Sequence, residues 1–600
     1  MTNLTVAFEH FSAQQPEQAI AICDQLLALE PNATGAITVR ALCLAMRGEF
    51  AAAEVQFKRL IALEPNESSH FINLAATLKD QGKPSDALAL MQGALDGPAD
   101  SAALRLEIAI WQMDGANYLA ASKLLEPLFL AAPADALVRA LFARCLIETA
   151  RLPRAKQVLL TIKDYQNTDV LTKIQAGIAF MQLDQFVAAE ALFRQALALD
   201  PGADDASYNL LALFERANQM DLAASLLAQL PAAQTAEQAL LRAKVLKRSG
   251  HLDAALQLLR AIDSSKINSR TSADVNFALA GVEDQCGNFD AAMRALDIAH
   301  AAQLRTYQSN HPGRAETLDL AWVDETVSRA QVEKFANSES DNDSEAKNNV
   351  PTFLVGFMRS GTTLIEQMLA AHPEVVTLDE KPALESVVVE IRRLGLRYPQ
   401  DLDQFNSTER DALRSVYFTE ADKHMTRPPN AHLVDKYPFN LGRLGLIRLL
   451  FPGAKIVFAL RHPCDVVLSS VMQHFKINSG TMAFKSIEST ATTYSAVMSM
   501  WVEQREISGL AVHTIRYESL VQSPEPSARA LLNHLGLAWS DAVLVPNKQA
   551  KYKFICTPSY SQVATPIHQR SVERWQNYRR YFDPVLPILQ PWIDHFEYVS

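Results

Sequence analysis

The 600-residue sequence has few cysteines, and they are dispersed along the chain. They are Cys23, Cys43, Cys145, Cys286, Cys464 and Cys556, with no CxxC pair and no Cys/His cluster at metal-ligand spacing. This pattern excludes a disulfide-stapled scaffold and a zinc module, and it favours reduced thiols in a cytoplasmic protein. We therefore expect no bound metal.

The sequence also lacks excess positive charge and long apolar runs. Its formal net charge of −11 argues against general binding to nucleic acid or to anionic membranes. No apolar segment is long enough to span a bilayer, and the first residues lack the basic and apolar parts of a signal peptide. We expect a cytoplasmic location, no membrane span and no nucleic-acid partner.

The first half of the chain repeats itself. Alanines recur about every 34 residues, at Ala19, Ala53, Ala87, Ala121, Ala155, Ala189 and Ala223, with looser copies near Ala255 and Ala292. A larger apolar residue follows each of the first six alanines by four positions, and a proline often follows by twelve. The period is that of a tetratricopeptide repeat, in which a small residue lets two helices approach closely. The repeats predict an all-α solenoid of about nine helix pairs plus a connecting helix over residues 1–335.

A polar segment then separates this solenoid from the rest of the chain. Residues 336–349 contain almost nothing apolar, so they cannot bury enough surface to offset the entropy of ordering. We interpret them as a linker. The remaining residues, 350–600, form the second predicted domain.

This second domain begins with a pattern typical of a strand, an anion-binding loop and a helix. The apolar run Thr352–Phe357 is followed by a glycine-bracketed turn, and Thr362–Ala371 has helical apolar spacing. The free N–H groups of a helix N-terminus bind phosphate or sulfate, and Arg359, Gly361 and the two threonines after it suit that purpose. An ordinary strand-to-helix turn is the alternative for this segment alone.

The loop differs from that of nucleotide kinases and triphosphatases. The spacing of Gly356 and Gly361 matches a P-loop, but Thr362 occupies the position of the phosphate-binding lysine. No pair of magnesium-binding carboxylates is evident either, so a kinase is the weakest interpretation. A sulfuryl group carries less charge than a phosphoryl group and does not need the metal.

Two further apolar runs predict strands at Lys455–Leu460 and Ala511–Tyr517. The first delivers Arg461 to its carboxyl end, and Ser469 follows two helical turns later, which suits a second phosphate. An ion pair between Arg461 and Asp465 is an equally good interpretation of this segment by itself. Together these elements predict an α/β, P-loop-like domain with a central parallel sheet.

A family resemblance is carried by the run Arg359-Ser-Gly-Thr-Thr363, by Glu380, Lys436, Arg461, Ser469 and Tyr517, and by the region Ser559–Trp575. These residues resemble those of the sulfotransferases that use 3′-phosphoadenylyl sulfate (PAPS), especially the tyrosylprotein branch. The resemblance implies that residues Arg359, Ser360, Gly361, Thr362 and Thr363 hold the 5′-phosphosulfate. It implies that Arg461 and Ser469 hold the 3′-phosphate, and that Tyr517, Ser559 and Arg574 complete the nucleotide site. Glu380 would be the general base, Lys436 would neutralise the leaving oxygen, and Arg359 and Ser559 would assist near the reacting group.

The resemblance implies a sulfotransferase with no metal requirement, but it leaves the acceptor open. Tyrosylprotein enzymes place arginines just after the base to hold acidic peptides, whereas Pro382 and Ser386 stand here. We expect a protein or peptide acceptor presented by the repeats. The alternatives are a saccharide, lipid or small phenolic acceptor, or a repeat scaffold whose nucleotide-binding fold has no catalytic activity.

Overall fold

A computed structural model describes residues 3–149, 151–159, 161–311, 350–428, 431–475, 481–545 and 567–599. Two compact units divide the chain: Met1–Leu213 with Gln308–Pro312, and Phe214–Tyr307 with Gly313–Ser600. The linker predicted at 336–349 lies outside the described residues, and so do residues 312–335 of the predicted solenoid and connecting helix.

Helices occupy the described chain up to Asn310. They are α1 Asn3–Ser12, α2 Pro16–Leu29, α3 Thr34–Met46, α4 Phe50–Leu63, α5 Ser68–Asp80, α6 Pro84–Leu95, α7 Ala102–Asp114, α8 Tyr118–Ala131, α9 Ala136–Glu148, α10 Leu152–Leu159, α11 Val170–Gln182, α12 Phe186–Leu199, α13 Asp204–Arg216, α14 Met220–Leu227, α15 Ala236–Arg248, α16 Leu252–Arg260, α17 Ser269–Gln285 and α18 Phe289–Asn310. This succession confirms the helical, repeat-based first part.

The recurring alanines explain how these helices pack. All nine of them, including the two looser copies, are fully buried. Helices α2 and α4 end just before the predicted prolines Pro31 and Pro65, as expected because proline disfavours helix at the residue before it. The sequence period therefore reports real contacts between helices.

The second part of the chain contains a five-stranded parallel sheet. Its strands are β1 Thr352–Gly356, β2 Val375–Asp379, β3 His432–Lys436, β4 Lys455–Leu460 and β5 Ala511–Arg516. They lie in the order β2-β3-β1-β4-β5, and every neighbouring pair is parallel. The central parallel sheet is confirmed, although β2 and β3 were not predicted as strands.

Helices connect these strands and also follow the last of them. They are α19 Thr362–Ala370, α20 Ala383–Arg393, α21 Ser407–Asp422, α22 Leu444–Leu450, α23 Pro463–Val471, α24 Ile487–Ser508, α25 Tyr517–Gln522, α26 Pro524–Leu535, α27 Arg579–Phe582 and α28 Leu586–His595. Among the described helices, none combines the length and the apolar character that crossing a bilayer requires.

Apolar side chains cover both faces of the sheet. On one face, Leu354 of β1 packs in a cluster with Ile365 of α19 and Leu532 of α26. On the other face, Phe353 and Val355 belong to a larger cluster that reaches α20, α24 and α28. That larger cluster also includes Phe277, Ala280 and Leu296 of α17 and α18, so one core of the second unit contains both repeat helices and the sheet.

Candidate functional site

All five strands end at one edge of the sheet, because they are parallel, and each is followed by a predicted site residue. The anion-binding loop follows β1, Glu380 follows β2, and Lys436 is the last residue of β3. Arg461 follows β4 and Tyr517 follows β5. The carboxyl edge of such a sheet is the usual ligand site in open α/β folds.

The loop after β1 has the predicted strand, turn and helix arrangement. Gly361 precedes α19 with φ +96°, and an added Cβ would lie 2.7 Å from Cδ2 of Tyr517. Arg359 also has a positive φ, of 70°, which is uncommon for a residue with a side chain. Because Thr362 and Thr363 begin α19, their backbone N–H groups lack partners from a preceding helical turn, and both residues are buried. This geometry would let an anion approach the main chain closely.

Two arginines meet behind this loop. Arg359 donates from Nε to Ser469 Oγ at 3.1 Å, and Arg461 donates to the Arg359 carbonyl oxygen at 3.0 Å. Arg461 also donates to the Ser571 carbonyl at 2.5 Å, and its guanidinium lies 4.9 Å from the centre of the Tyr517 ring. Its Nε is buried and has no hydrogen-bond partner among the described residues. An unsatisfied buried donor on a cation is suited to an anionic ligand.

Burial and neighbouring cations lower the pKa of Arg359 to about 10, since Arg461 and Arg574 both stand close enough to oppose its charge. The group stays protonated at neutral pH. Positive charges gathered at this density stabilise bound phosphate or sulfate.

Asp465, in the first turn of α23, fixes the segment that carries Arg574. It accepts hydrogen bonds from the backbone N–H groups of Glu573 at 2.8 Å and Trp575 at 2.9 Å. Trp575 is fully buried and stacks on His462. Arg461 Nη2 lies 4.0 Å from Asp465, so the ion pair considered from sequence exists only at long range. The main contacts of Asp465 are with the backbone around Arg574.

A lysine and two carboxylates form the second part of the site. Lys436 Nζ donates to Glu380 Oε1 at 2.7 Å and lies 2.6 Å from Asp379 Oδ1. Asp379 and Lys436 are register partners on β2 and β3, and the Glu380 N–H donates to the Lys436 carbonyl at 2.8 Å. Burial alone would lower the pKa of Lys436, but the carboxylates of Glu380, Asp379 and Glu366 raise it overall. Lys436 is therefore a fixed cation at neutral pH.

Glu380 is more accessible than its partner. Its side chain is 34% exposed, whereas that of Lys436 is fully buried. Its backbone φ of +50° is another positive value for a residue with a side chain. Lys436 holds one carboxylate oxygen, and the exposed fraction of the side chain leaves Glu380 open to a second molecule. A carboxylate held in this way is suited to accept a proton.

The structure thus gathers Arg359, Ser360, Gly361, Thr362, Thr363, Glu380, Lys436, Arg461, Ser469, Tyr517 and Arg574 around the carboxyl edge of the sheet. Ser559 lies outside the described residues. Sequence reasoning missed Asp379, whose pairing with Lys436 follows from strand register. It also missed Asp284 of α17, which pairs with Arg574, because nothing distinguishes this residue from other helix residues in a repeat.

Comparisons with known proteins give the class to which these two parts belong. Residues 351–541 match the model of the sulfotransferase family, and residues 10–78 match that of the tetratricopeptide repeat. The chain therefore combines tetratricopeptide repeats in its first part with a sulfotransferase family domain in its second part.

Individual curated proteins also have sequences similar to this chain. The chain is 28% identical over 351 residues to an uncharacterized protein of Aquifex aeolicus, covering 56% of this chain and 44% of the relative. It is 28% identical to protein-tyrosine sulfotransferase 2 of Gallus gallus, covering 37% of this chain and 62% of that protein. It is 27% identical to protein-tyrosine sulfotransferase A of Caenorhabditis elegans, covering 45% and 71%. The chain thus spans less than two thirds of the length of the first two relatives.

Among solved structures, the sulfotransferase domain from the curacin biosynthetic pathway is 18% identical and covers 40% of this chain and 98% of its own, with a TM-score of 0.28. A tetratricopeptide repeat protein from Parabacteroides merdae is 16% identical and covers 42% and 98%, with a TM-score of 0.34.

Proposed function

We propose that this chain is a sulfotransferase that moves a sulfuryl group from PAPS to an acceptor hydroxyl, with tyrosine of a protein or peptide as the favoured acceptor. One observation carries the proposal: an anion-binding loop with converging arginines shares a sheet edge with a Glu380–Lys436 pair. The first feature suits a phosphosulfate group, and the second suits deprotonation of a hydroxyl.

The described residues fit the donor. Gly361 leaves room for its oxygens, and Arg359, Ser360 and the two residues that begin α19 would hold the 5′-phosphosulfate. Arg461, with its unsatisfied Nε, and Ser469 would hold the 3′-phosphate. We expect Tyr517 and Arg574 to complete the nucleotide site, together with Ser559.

The reaction we propose has a single transfer step. The acceptor oxygen forms a bond to sulfur while the bond from sulfur to the bridging oxygen breaks, and its electron pair stays on the leaving phosphate. Glu380 takes the acceptor proton, and Lys436 with Arg359 offsets the negative charge that builds on the leaving group. Since both cations are already in place, no large rearrangement of charge is needed.

Two observations bear on the acceptor. Curated relatives that are protein-tyrosine sulfotransferases favour tyrosine in a protein, and tetratricopeptide repeats commonly bind proteins. After the base, however, position 382 is a proline and position 386 is a serine whose hydroxyl donates to the Pro382 carbonyl oxygen. Neither position supplies an arginine to hold an acidic peptide. Saccharide, lipid and phenolic acceptors therefore belong in the test.

The test is transfer of label from radiolabelled PAPS to tyrosine-containing peptides, oligosaccharides and simple phenols. Glu380→Gln should lower transfer by about 10²- to 10⁴-fold, the usual contribution of a positioned base, while binding of adenosine 3′,5′-bisphosphate is retained. Glu390→Gln is the matched control, because Glu390 is a glutamate of α20 whose carboxylate pairs with Arg393 instead.

Transfer at the parental rate by Glu380→Gln would overturn the base assignment. Label on a saccharide or phenol but not on peptide would replace the proposed acceptor. A parent protein that binds the nucleotide and transfers to no acceptor would support the scaffold alternative.

A further inference from the structure

Lys247, in the last turn of the repeat helix α15, lies against α17. Its Nζ occupies the space above Gly281, where an added Cβ would lie 2.4 Å from that nitrogen. Glycine inside a helix is less favourable than alanine by about 1 kcal/mol. The glycine at this position therefore has a structural purpose: it admits the lysine.

The carboxylate that acts most strongly on the charge of Lys247 is that of Asp284, which other donors already contact. Asp284, one turn after Gly281, accepts from Arg574 Nε at 3.2 Å, pairs with Arg574 Nη2 at 2.6 Å and accepts from the Tyr578 hydroxyl at 2.7 Å. Neither a hydrogen bond nor an ion pair of Lys247 itself is found in the part of the chain that the structure describes. One carboxylate thus faces two cations.

Burial lowers the pKa of Lys247 to about 8, and the charges of Arg574 and Lys244 act in the same direction. Asp284 and Glu215 oppose this shift without cancelling it. The free protein therefore keeps a partly buried positive charge at a cost, and a bound anion would remove that cost.

This charge stands beside the site described above, within the second unit. Arg574 is fixed next to α23 by its neighbours in the chain, and its Nη2 also donates to Met472 Sδ at 3.0 Å, three residues after Ser469. Arg574 is close enough to Arg359 to lower the pKa of that group. Neighbouring cations thus continue from Arg461 through Arg359 and Arg574 to Lys247.

We propose that Lys247 is an anion ligand supplied by the repeat helices and that, with Arg574, it binds a phosphate group of the donor nucleotide. This inference rests on the proposed function, because it takes the donor to be a phosphorylated nucleotide. A phosphate oxygen would accept a hydrogen bond from the Lys247 ammonium and compensate its charge, which Asp284 does only in part. The repeats then contribute to the nucleotide site itself, in addition to any acceptor that they present.

The test is calorimetric titration of the full chain with adenosine 3′,5′-bisphosphate at pH 7. Lys247→Met should weaken binding about tenfold or more, the effect of losing one charged hydrogen bond. Lys266→Met is the matched control: it removes the same charge from the same unit at an exposed pair with Asp263, and it should bind as the parent does.

A second variant moves the lysine without deleting it. Gly281→Ala places a methyl group where Nζ now lies, so it should cause a similar loss of affinity even though alanine favours the helix. Its thermal unfolding temperature shows directly whether the protein is folded.

Parental affinity in both Lys247→Met and Gly281→Ala would overturn the inference while leaving the proposed function intact. A raised KM for the acceptor with unchanged nucleotide affinity would also overturn it, because the anion would then belong to the acceptor. A parent protein that does not bind the nucleotide would overturn the proposed function, and this inference with it.

Discussion

Asp435 offers a direct test of the charge balance inside the sheet. It lies fully buried on β3, between β2 and β1 in the sheet, beside Lys436, and its Oδ2 accepts from the Tyr417 hydroxyl at 2.9 Å. Its Oδ1 is buried without a hydrogen-bond partner among the described residues. Burial raises the pKa of Asp435 from 3.8 to about 7, although Tyr417, Arg443 and Lys436 act against this change.

The magnitude follows from this pKa. Above pH 7 the folded protein carries the full cost of the ionised group, which is about 4 kcal/mol. As the pH falls from 7 towards 3.8, the folded state takes up the proton first and the cost declines, to roughly 2 kcal/mol at pH 5. Asp435→Asn removes the ionisation. The free energy of unfolding of the variant, relative to that of the parent, should therefore be more favourable at pH 8.5 than at pH 5 by roughly 2 to 3 kcal/mol.

The assay is urea unfolding at the two pH values, followed by tryptophan fluorescence. The Trp501 ring stacks on Phe458 of β4, with 4.2 Å between ring centres, so its fluorescence should change when the sheet unfolds. Comparing two pH values cancels any constant cost of the buried amide, which takes the place of a protonated carboxyl. Asp290→Asn, at a half-exposed pair with Arg580, is the control and should show equal differences at both pH values. If the stability of Asp435→Asn relative to the parent is also equal at the two pH values, the reasoning is refuted.

Two further predictions concern the anion site. Gly361→Ala should destabilise the fold by at least about 1 kcal/mol and lower nucleotide affinity by more than tenfold, because a methyl group would meet Tyr517 at a positive φ. Thermal scans measure the effect on stability, and calorimetry measures the effect on affinity. Gly445→Ala is the control and should be neutral, because this helical position has open space around it. Equal behaviour of the two variants would contradict the role assigned to the turn at Gly361. Arg461→Ala should weaken binding of adenosine 3′,5′-bisphosphate by about 10- to 100-fold in the same titration, with Arg529→Ala of the exposed Glu525 pair as its control. Unchanged affinity in Arg461→Ala would remove its assignment to the 3′-phosphate.

The features that sequence predicted well are those that depend on neighbours along the chain. The alanine period, the prolines that end helices, the loop after β1 and the strands β4 and β5 all follow from local spacing. The prediction for β5 was one residue too long, since Tyr517 begins α25.

The strands β2 and β3 were missed for a physical reason. Two of the five residues of β3 are Asp435 and Lys436, which local pattern assigns to a surface. Both are buried because their partners come from elsewhere: Tyr417 from α21, and Asp379 and Glu380 from β2 and the residue after it. The sequence did not indicate a role for Lys247 or Asp284 either, because each has the pattern of an ordinary polar residue in a helical repeat.

The apolar core that joins α17 and α18 to the sheet has a practical consequence for anyone who isolates the second part of this protein. A fragment that begins at residue 350 would expose to water the surfaces against which Phe277, Ala280 and Leu296 pack. Exposed apolar area of this kind promotes aggregation. A fragment that begins near Phe214 retains that cover, so solubility and refolding yield should depend on which of the two cuts is made.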